Sequence, residues 1–134
     1  MPDSLRIEIF PSELQRSIEF YTNILQFTVI MYDGEYAFLR RGDIYIGAIE
    51  VPSSETIEEK ASYRQPPKGI EIAFEVDDLD KERDFVVDKG WNLKADIETQ
   101  PWGLRDFRIV DPDGYYLRIT THSPWRDGKA SAKI

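Results

Sequence analysis

Charged side chains recur at alternate positions of three short apolar runs, where they would share one face of a strand. The sets are Arg6 with Glu8, Glu71 with Glu75, and Arg118 with Thr120 and His122. A carboxylate in such a set can act as a general base, and an arginine can stabilise a developing oxyanion. The same groups can instead form a partly buried ion-pair network or bind a polar ligand. The spacing alone leaves catalysis, ligand binding and ion pairing open.

Aromatic residues offer a second kind of site. Trp102 lies between Pro101 and Gly103 in a predicted loop, whereas Tyr36, Phe38 and Tyr45 lie in predicted strands. A flat ring stacked on a ligand ring contributes about 0.5–1.5 kcal/mol beyond its buried area. The competing interpretation is ordinary core packing, which Trp102 fits least because of its loop position.

Composition excludes several chemistries. The chain has no cysteine and one histidine, so it has no disulfides, thiolate metal sites or sites with several imidazoles from one chain. Seventeen Lys and Arg stand against 25 Asp and Glu, which gives a net charge of −8. Such a surface repels nucleic acid and anionic lipid and attracts cations. With no signal-peptide or membrane-spanning pattern, we expect a cytoplasmic protein with no nucleic-acid or membrane partner.

The first half of the chain predicts one strand, one helix and three further strands. Alternation predicts a strand over 5–10, and helical spacing predicts a helix over 12–25 with Ser12 as its N-cap. Turn residues separate three more predicted strands, at 28–32, 36–40 and 44–51. Residues 52–69 are polar and contain three prolines, which indicates a linker or surface loop.

The second half repeats this order. A strand over 70–76 precedes a helix over 79–89, capped by Asp77 or Asp78 and closed by Gly90. Three further strands are predicted at 91–95, 104–110 and 115–121, and the last two flank the turn at 111–114. Residues 123–134 are expected to be a mobile tail. Two βαβββ modules in tandem indicate an internal duplication.

Three segments together resemble one family. They are 14–21 with 25–27, 72–80, and 107–114. The combination is similar to the vicinal-oxygen-chelate superfamily, which includes glyoxalase I, ring-cleaving dioxygenases and bleomycin-resistance proteins. The resemblance implies an α+β fold in which two βαβββ modules form a curved, cup-shaped mixed sheet. It implies a single domain, with module one at about 4–51, a linker at 52–69, module two at 70–122 and a tail at 123–134.

Within this superfamily, the segment 100–103 followed by Asp106-Phe107 and Asp111-Pro112 resembles the bleomycin-resistance branch. Proteins of that branch are acidic homodimers that sequester a cationic glycopeptide drug without altering it. The net charge of −8 fits that mode of action.

The resemblance also bears on metal binding. Matched residue by residue, the family's ligand positions fall on Arg6, Glu71 and Arg118, and the fourth falls near Tyr45 or Gly47. A guanidinium group is always protonated and has no lone pair for a metal. We therefore expect no metal and no other cofactor.

The favoured hypothesis is a non-catalytic homodimer that sequesters a cationic or aromatic, antibiotic-like small molecule in a cleft at the dimer interface. The alternative is a metal-independent lyase, isomerase or cyclase with Glu8 or Glu71 as general base. A metal enzyme with Glu8, Glu71 and His122 as ligands is a third hypothesis. The four charged residues of the cup are expected to lie within ion-pair reach of one another. The predicted ligand-binding residues are Arg6, Glu8, Phe38, Tyr45, Glu71, Trp102 and Arg118.

Overall fold

The computed structural model describes residues 1–126. The first module forms a four-stranded mixed sheet. Its elements are β1 (Arg6–Ile9), α1 (Leu14–Glu19), a π-helical segment (Phe20–Ile24), β2 (Thr28–Tyr32), β3 (Tyr36–Arg41) and β4 (Ile44–Ile49). The strand order is β1-β4-β3-β2, with β1 and β4 parallel and the other pairs antiparallel.

The second module repeats the first. After α2 (Ile57–Arg64), the chain forms β5 (Glu71–Val76), α3 (Leu79–Asp88), β6 (Ala95–Thr99), β7 (Arg105–Val110) and β8 (Tyr116–Thr121). The strand order β5-β8-β7-β6 has the same parallel and antiparallel pairs. The predicted α+β fold with two βαβββ modules is confirmed.

Each sheet buries one face. Alternation places Ile9, Leu39 and Ile46 on the buried face of the first sheet, and Phe107 and Leu117 on that of the second. Between the modules, the Phe27 and Phe74 rings lie 5.8 Å apart, and those of Phe20 and Trp91 lie 4.7 Å apart. The helices and aromatic rings thus join both modules in one core.

The turn after β7 carries two buried carboxylates that fasten the modules together. The Tyr21 hydroxyl donates to Asp111 Oδ2 at 2.7 Å, and burial raises the pKa of Asp111 to about 6. Ser12 donates through both its amide and its hydroxyl to Asp113 Oδ1. Asp113 also accepts from Lys60 Nζ at 2.7 Å. Burial alone would raise the pKa of Asp113, but the bonds from Lys60 and Ser12 outweigh it and lower that pKa.

Three local predictions differ from the structure. Ser12 is not the N-cap of α1. Glu13 holds that position without a side-chain bond, because Ser12 is bonded to Asp113 instead. The segment predicted as a linker contains α2, which begins with a capping box between Thr56 and Glu59.

The strand predicted at 91–95 begins only at Ala95, because Trp91 packs on Phe20 and donates to the Val110 carbonyl. The Asp78 cap of α3 and the glycine at its end are confirmed.

The predicted tail is described only in part. The Ser123 amide donates to Glu75 Oε2, and Arg126 pairs with Glu75 Oε1 at 2.8 Å, so 123–126 lies against the end of β5. The rest of the predicted tail, 127–134, lies outside the described residues. No helix within 1–126 is long and apolar enough to span a bilayer.

Candidate functional site

The unburied face of the first sheet carries a charged cluster on β1. Arg6 Nε lies 3.1 Å from Glu8 Oε1, and the Tyr36 hydroxyl donates to the same carboxylate at 3.2 Å. Glu8 pairs in register with Gly47 of β4, where a Cβ would overlap both Glu8 Oε2 and the Tyr36 hydroxyl. Gly47 therefore leaves the space in which this carboxylate and hydroxyl meet.

An aromatic pair lies beside that cluster. Phe38 and Tyr45 stack with their ring centroids 5.9 Å apart and 28° between their planes. The Arg40 guanidinium lies 5.5 Å from the Tyr45 ring centroid. All three side chains are on the unburied face, which offers both a flat ring surface and a cation.

The unburied face of the second sheet carries a larger charged cluster. Glu71 Oε1 pairs with Arg118 Nη1 at 3.1 Å, and Glu71 Oε2 pairs with Arg108 Nε at 3.0 Å. Trp102 is 50% exposed, and the Arg118 guanidinium lies 5.7 Å from its ring. The structure therefore brings together three of the predicted ligand-binding residues: Glu71, Trp102 and Arg118.

Sequence reasoning missed Arg108, which is the centre of this cluster. Its Nη1 also contacts Glu98 at 3.3 Å and Asp106 at 3.1 Å. Burial disfavours the charged form of Arg108, but the Glu71 hydrogen bond and the charge of Asp106 outweigh it and raise its pKa. The signal was present, because a hairpin closed at 111–114 places Arg108 directly opposite Arg118.

Two polar atoms of this cluster are buried and have no hydrogen-bond partner among residues 1–126. They are Asp106 Oδ2 and Arg118 Nε, an acceptor and a donor on the same sheet face. The other Asp106 oxygen is used twice, by Gln100 Nε2 at 3.0 Å and by Arg108. Buried polar groups are nearly always hydrogen-bonded, so these atoms need an explanation.

The expected four-residue network is divided in two. Arg6 pairs with Glu8 in the first sheet and Arg118 with Glu71 in the second, and among residues 1–126 no ion pair joins the two pairs. The physical reason is that the two sheets of one chain share no hydrogen-bonded strand pair. The single network expected from strand alternation is therefore wrong for one chain.

The described residues of one chain form no cluster of candidate metal ligands. Within 1–126, no three His, Asp or Glu side chains are placed to hold an ion. Glu8 and Glu71 lie in different sheets, and His122 bonds to Asp77 at 2.6 Å beyond the end of β8. Within residues 1–126 of one chain, Glu8, Glu71 and His122 are therefore not brought together as one ligand set.

The larger cavities lie elsewhere. One of about 560 Å³ is lined by residues that include Ser12, Arg16 and Lys60, and one of about 540 Å³ by residues that include Phe20, Lys89 and Trp91. Neither is lined by a predicted ligand-binding residue. The predicted site is instead two open sheet faces.

The fold defines a class of duplicated α+β proteins. Its two βαβββ modules carry charged and aromatic residues on the sheet faces that point away from the core. The chain belongs to the Glyoxalase/Bleomycin resistance protein/Dioxygenase superfamily, whose sequence model matches residues 4–119. No curated protein matches the chain significantly.

Solved structures show the same fold at low sequence identity. A bleomycin resistance determinant encoded on transposon Tn5 has 20% identity and a TM-score of 0.72, covering 91% of this chain and 99% of that one. A bleomycin-binding protein from Streptomyces verticillus, complexed with copper(II)-bleomycin, has 19% identity and a TM-score of 0.67, covering 92% and 98%. A lactoylglutathione lyase from Agrobacterium tumefaciens has 15% identity and a TM-score of 0.68, covering 93% and 98%.

Proposed function

We propose that this chain is a non-catalytic small-molecule-binding protein that sequesters a cationic or aromatic, antibiotic-like ligand. Membership of the superfamily and the bleomycin-binding structural neighbours support this proposal. The observation that carries it is the pair of sheet faces that point away from the apolar core, because each presents charged and aromatic groups. The proposed location is cytoplasmic.

The cleft is proposed to lie at the interface of a homodimer, where the module-one face of one subunit meets the module-two face of its partner. Exposed apolar residues support association. Ile30 and Tyr32 on β2, Ile49 on β4, and Leu5 and Ile70 before the first strand of each module are all exposed. Symmetric dimers bury matching patches of this kind on both subunits.

The proposed binding residues divide between the two faces. Arg6, Glu8, Phe38 and Tyr45 belong to the first face, and Glu71, Trp102 and Arg118 belong to the second. A ligand between the faces would contact a stacked ring pair on one side and an ion-pair cluster with an exposed tryptophan on the other. This combination suits an organic cation that carries flat rings.

Calorimetry with bleomycin tests the function, with mass analysis of the drug recovered from the same sample. We expect saturable binding of one drug molecule per cleft and recovery of unaltered bleomycin. Sedimentation at micromolar concentration should give about twice the 15.6 kDa mass of one chain. A folded protein that shows no heat of binding would contradict the proposal, and a monomer would contradict the interface cleft.

The alternative is a metal-independent lyase, isomerase or cyclase. One observation favours it: Glu8 lies beside both the Tyr36 hydroxyl and Arg6, which places a base, a proton donor and a cation together. Glu71 is a weaker candidate base because two guanidinium groups already occupy both of its oxygens. Conversion of a carbonyl substrate that is abolished by Glu8→Gln and retained by Glu71→Gln would favour the enzyme over the binding protein.

A further inference from the structure

The second sheet face holds more negative than positive charge. Its ion pairs join three carboxylates, those of Glu71, Glu98 and Asp106, to the guanidinium groups of Arg108 and Arg118. We call these five side chains the β7 cluster, and it carries one unit of excess negative charge. The first face has no such excess, because Arg6 balances Glu8 and Arg40 adds a further positive charge.

Burial makes this excess costly. The side chain of Asp106 is 1% exposed and that of Arg108 is 14% exposed, so water screens their charges weakly. Asp106 Oδ2 accepts no hydrogen bond within the described residues, although it is buried. A buried carboxylate oxygen without a donor carries a desolvation cost that a ligand hydrogen bond would remove.

The cluster reaches solvent at Glu98. The Glu98 side chain is 57% exposed, and Trp102 lies against Arg118 on the same face. Asp106 Oδ2 itself is covered, so a ligand that approaches past Glu98 would reach this oxygen only after a side chain of the cluster moves aside.

We propose that the β7 cluster is the subsite for the ligand's cationic group, and that this group is an ammonium or amidinium carrying N–H donors. Charge balance requires a cation, and the unpaired atom of Asp106 is an acceptor, so the cation must also donate. A quaternary ammonium has the charge but no N–H, and a neutral alcohol has the donor but no charge. The inference rests on the proposed function, because it assigns one part of the ligand to one side of the cleft.

Three probes of similar size separate these requirements: benzylammonium, benzyltrimethylammonium and benzyl alcohol. The full chain is titrated with each at constant ionic strength while NMR follows the backbone amides of Asp106, Arg108 and Thr120. We expect saturable shifts with benzylammonium, at least tenfold weaker binding of benzyltrimethylammonium, and no saturable shift with benzyl alcohol. Equal binding of the two cations, or no shift in β7 and β8 with benzylammonium, would overturn the proposal.

Variants locate the contact. Asp106→Asn should weaken benzylammonium binding at least tenfold, with circular dichroism as the check on folding. Glu98→Gln removes one charge from an exposed side chain, with the loss of one Arg108 ion pair, and should weaken binding severalfold. The matched control is Asp96→Asn, because Asp96 is on β6 but pairs with Arg83 of α3. It should leave binding within twofold. Unchanged binding in folded Asp106→Asn and Glu98→Gln proteins would overturn the proposal.

Bleomycin calorimetry on the same variants separates this subsite from the proposed function. If the native chain binds bleomycin but benzylammonium leaves β7 and β8 unshifted, the subsite is wrong and the function stands. If benzylammonium binds at β7 and β8 and bleomycin does not bind, the subsite stands and the proposed drug-binding function is wrong.

Discussion

At the scale of single residues, Trp102 is the aromatic side chain most exposed to a ligand on the second face. It is half exposed, and its ring lies 5.7 Å from the Arg118 guanidinium at the edge of the charged cluster. Loops carry binding residues more often than the strands that hold them. Its ring is therefore available for stacking without loss of core packing.

Replacing this ring should weaken binding without unfolding the protein. We expect Trp102→Ala to lower bleomycin affinity more than tenfold, or about 1.4 kcal/mol. Bleomycin should quench tryptophan fluorescence in the native chain and quench it less in this variant. Trp125→Ala is the matched control, because Trp125 is similarly exposed but is not among the proposed binding residues. Equal affinities for Trp102→Ala and the native chain would contradict the prediction.

Asp111 should give stability a dependence on pH. Burial raises its pKa to about 6 in the folded chain, above the ordinary 3.8 that applies when unfolded. Folding therefore binds a proton here, and the resulting stabilisation is complete below about pH 4 and lost as pH rises through 6. Relative to Asp111→Asn, the native free energy of unfolding should fall by up to about 3 kcal/mol between pH 4 and 7.

Denaturant unfolding at several pH values measures this difference. Asp88→Asn, an exposed position at the end of α3, is the control and should follow the native pH profile. Parallel profiles for native protein and Asp111→Asn would show that Asp111 does not titrate in this range.

At the scale of elements, α2 is fastened to the second module by charge. Lys60 is buried against Asp113, and Arg64 donates to the Asp113 carbonyl while lying 4.2 Å from the Tyr115 ring. Gly114 permits this approach, because a Cβ there would come within 3.1 Å of the Ala61 amide. The segment predicted as a linker therefore contains a helix that is packed against the second module.

Removing one partner of this buried pair should be costly. We expect Lys60→Met to lower the free energy of unfolding by about 3–5 kcal/mol, because Asp113 would keep a buried charge without its closest cation. Chemical denaturation measures the loss. Lys68→Met, on an exposed position, should change stability by less than about 0.5 kcal/mol. A small loss in Lys60→Met would mean that Arg16 or water replaces the lysine.

The elements also show which features sequence can predict. Alternation over 70–76 and the Asp78 cap define β5 and α3, because period and capping are local properties. The same local rules failed for the Ser12 cap and for the strand predicted from Trp91. Ser12 bonds to the distant residue Asp113, and Trp91 packs on the distant residue Phe20. The position of Arg108 could have been predicted, because the register of the β7–β8 hairpin places it opposite Arg118. The division of the charged residues between two sheets could not have been predicted, because alternation identifies the two faces of a strand but not which sheets pack together.

At the scale of the whole molecule, β2 is an edge strand whose residues are all exposed. Four consecutive apolar residues, 29–32, would be unusual on a free edge, since exposed apolar edges promote association. We expect Ile30→Lys to shift the proposed dimer toward monomer by at least tenfold in dissociation constant. Sedimentation over a range of concentrations measures the shift. Val87→Lys on α3 is the control, and a native-like dimer in Ile30→Lys would exclude β2 from the interface.

The separation of the two open faces has a genetic consequence. If each cleft takes one face from each subunit, a Tyr45→Ala chain and an Arg118→Met chain are defective in different halves. Mixed dimers of the two would then contain one cleft with both defects and one with none. After random exchange, about one quarter of all clefts should regain native affinity, although neither parent binds. Such intersubunit complementation, measured as the bleomycin-binding capacity of the exchanged mixture, would be absent if each cleft belonged to one chain.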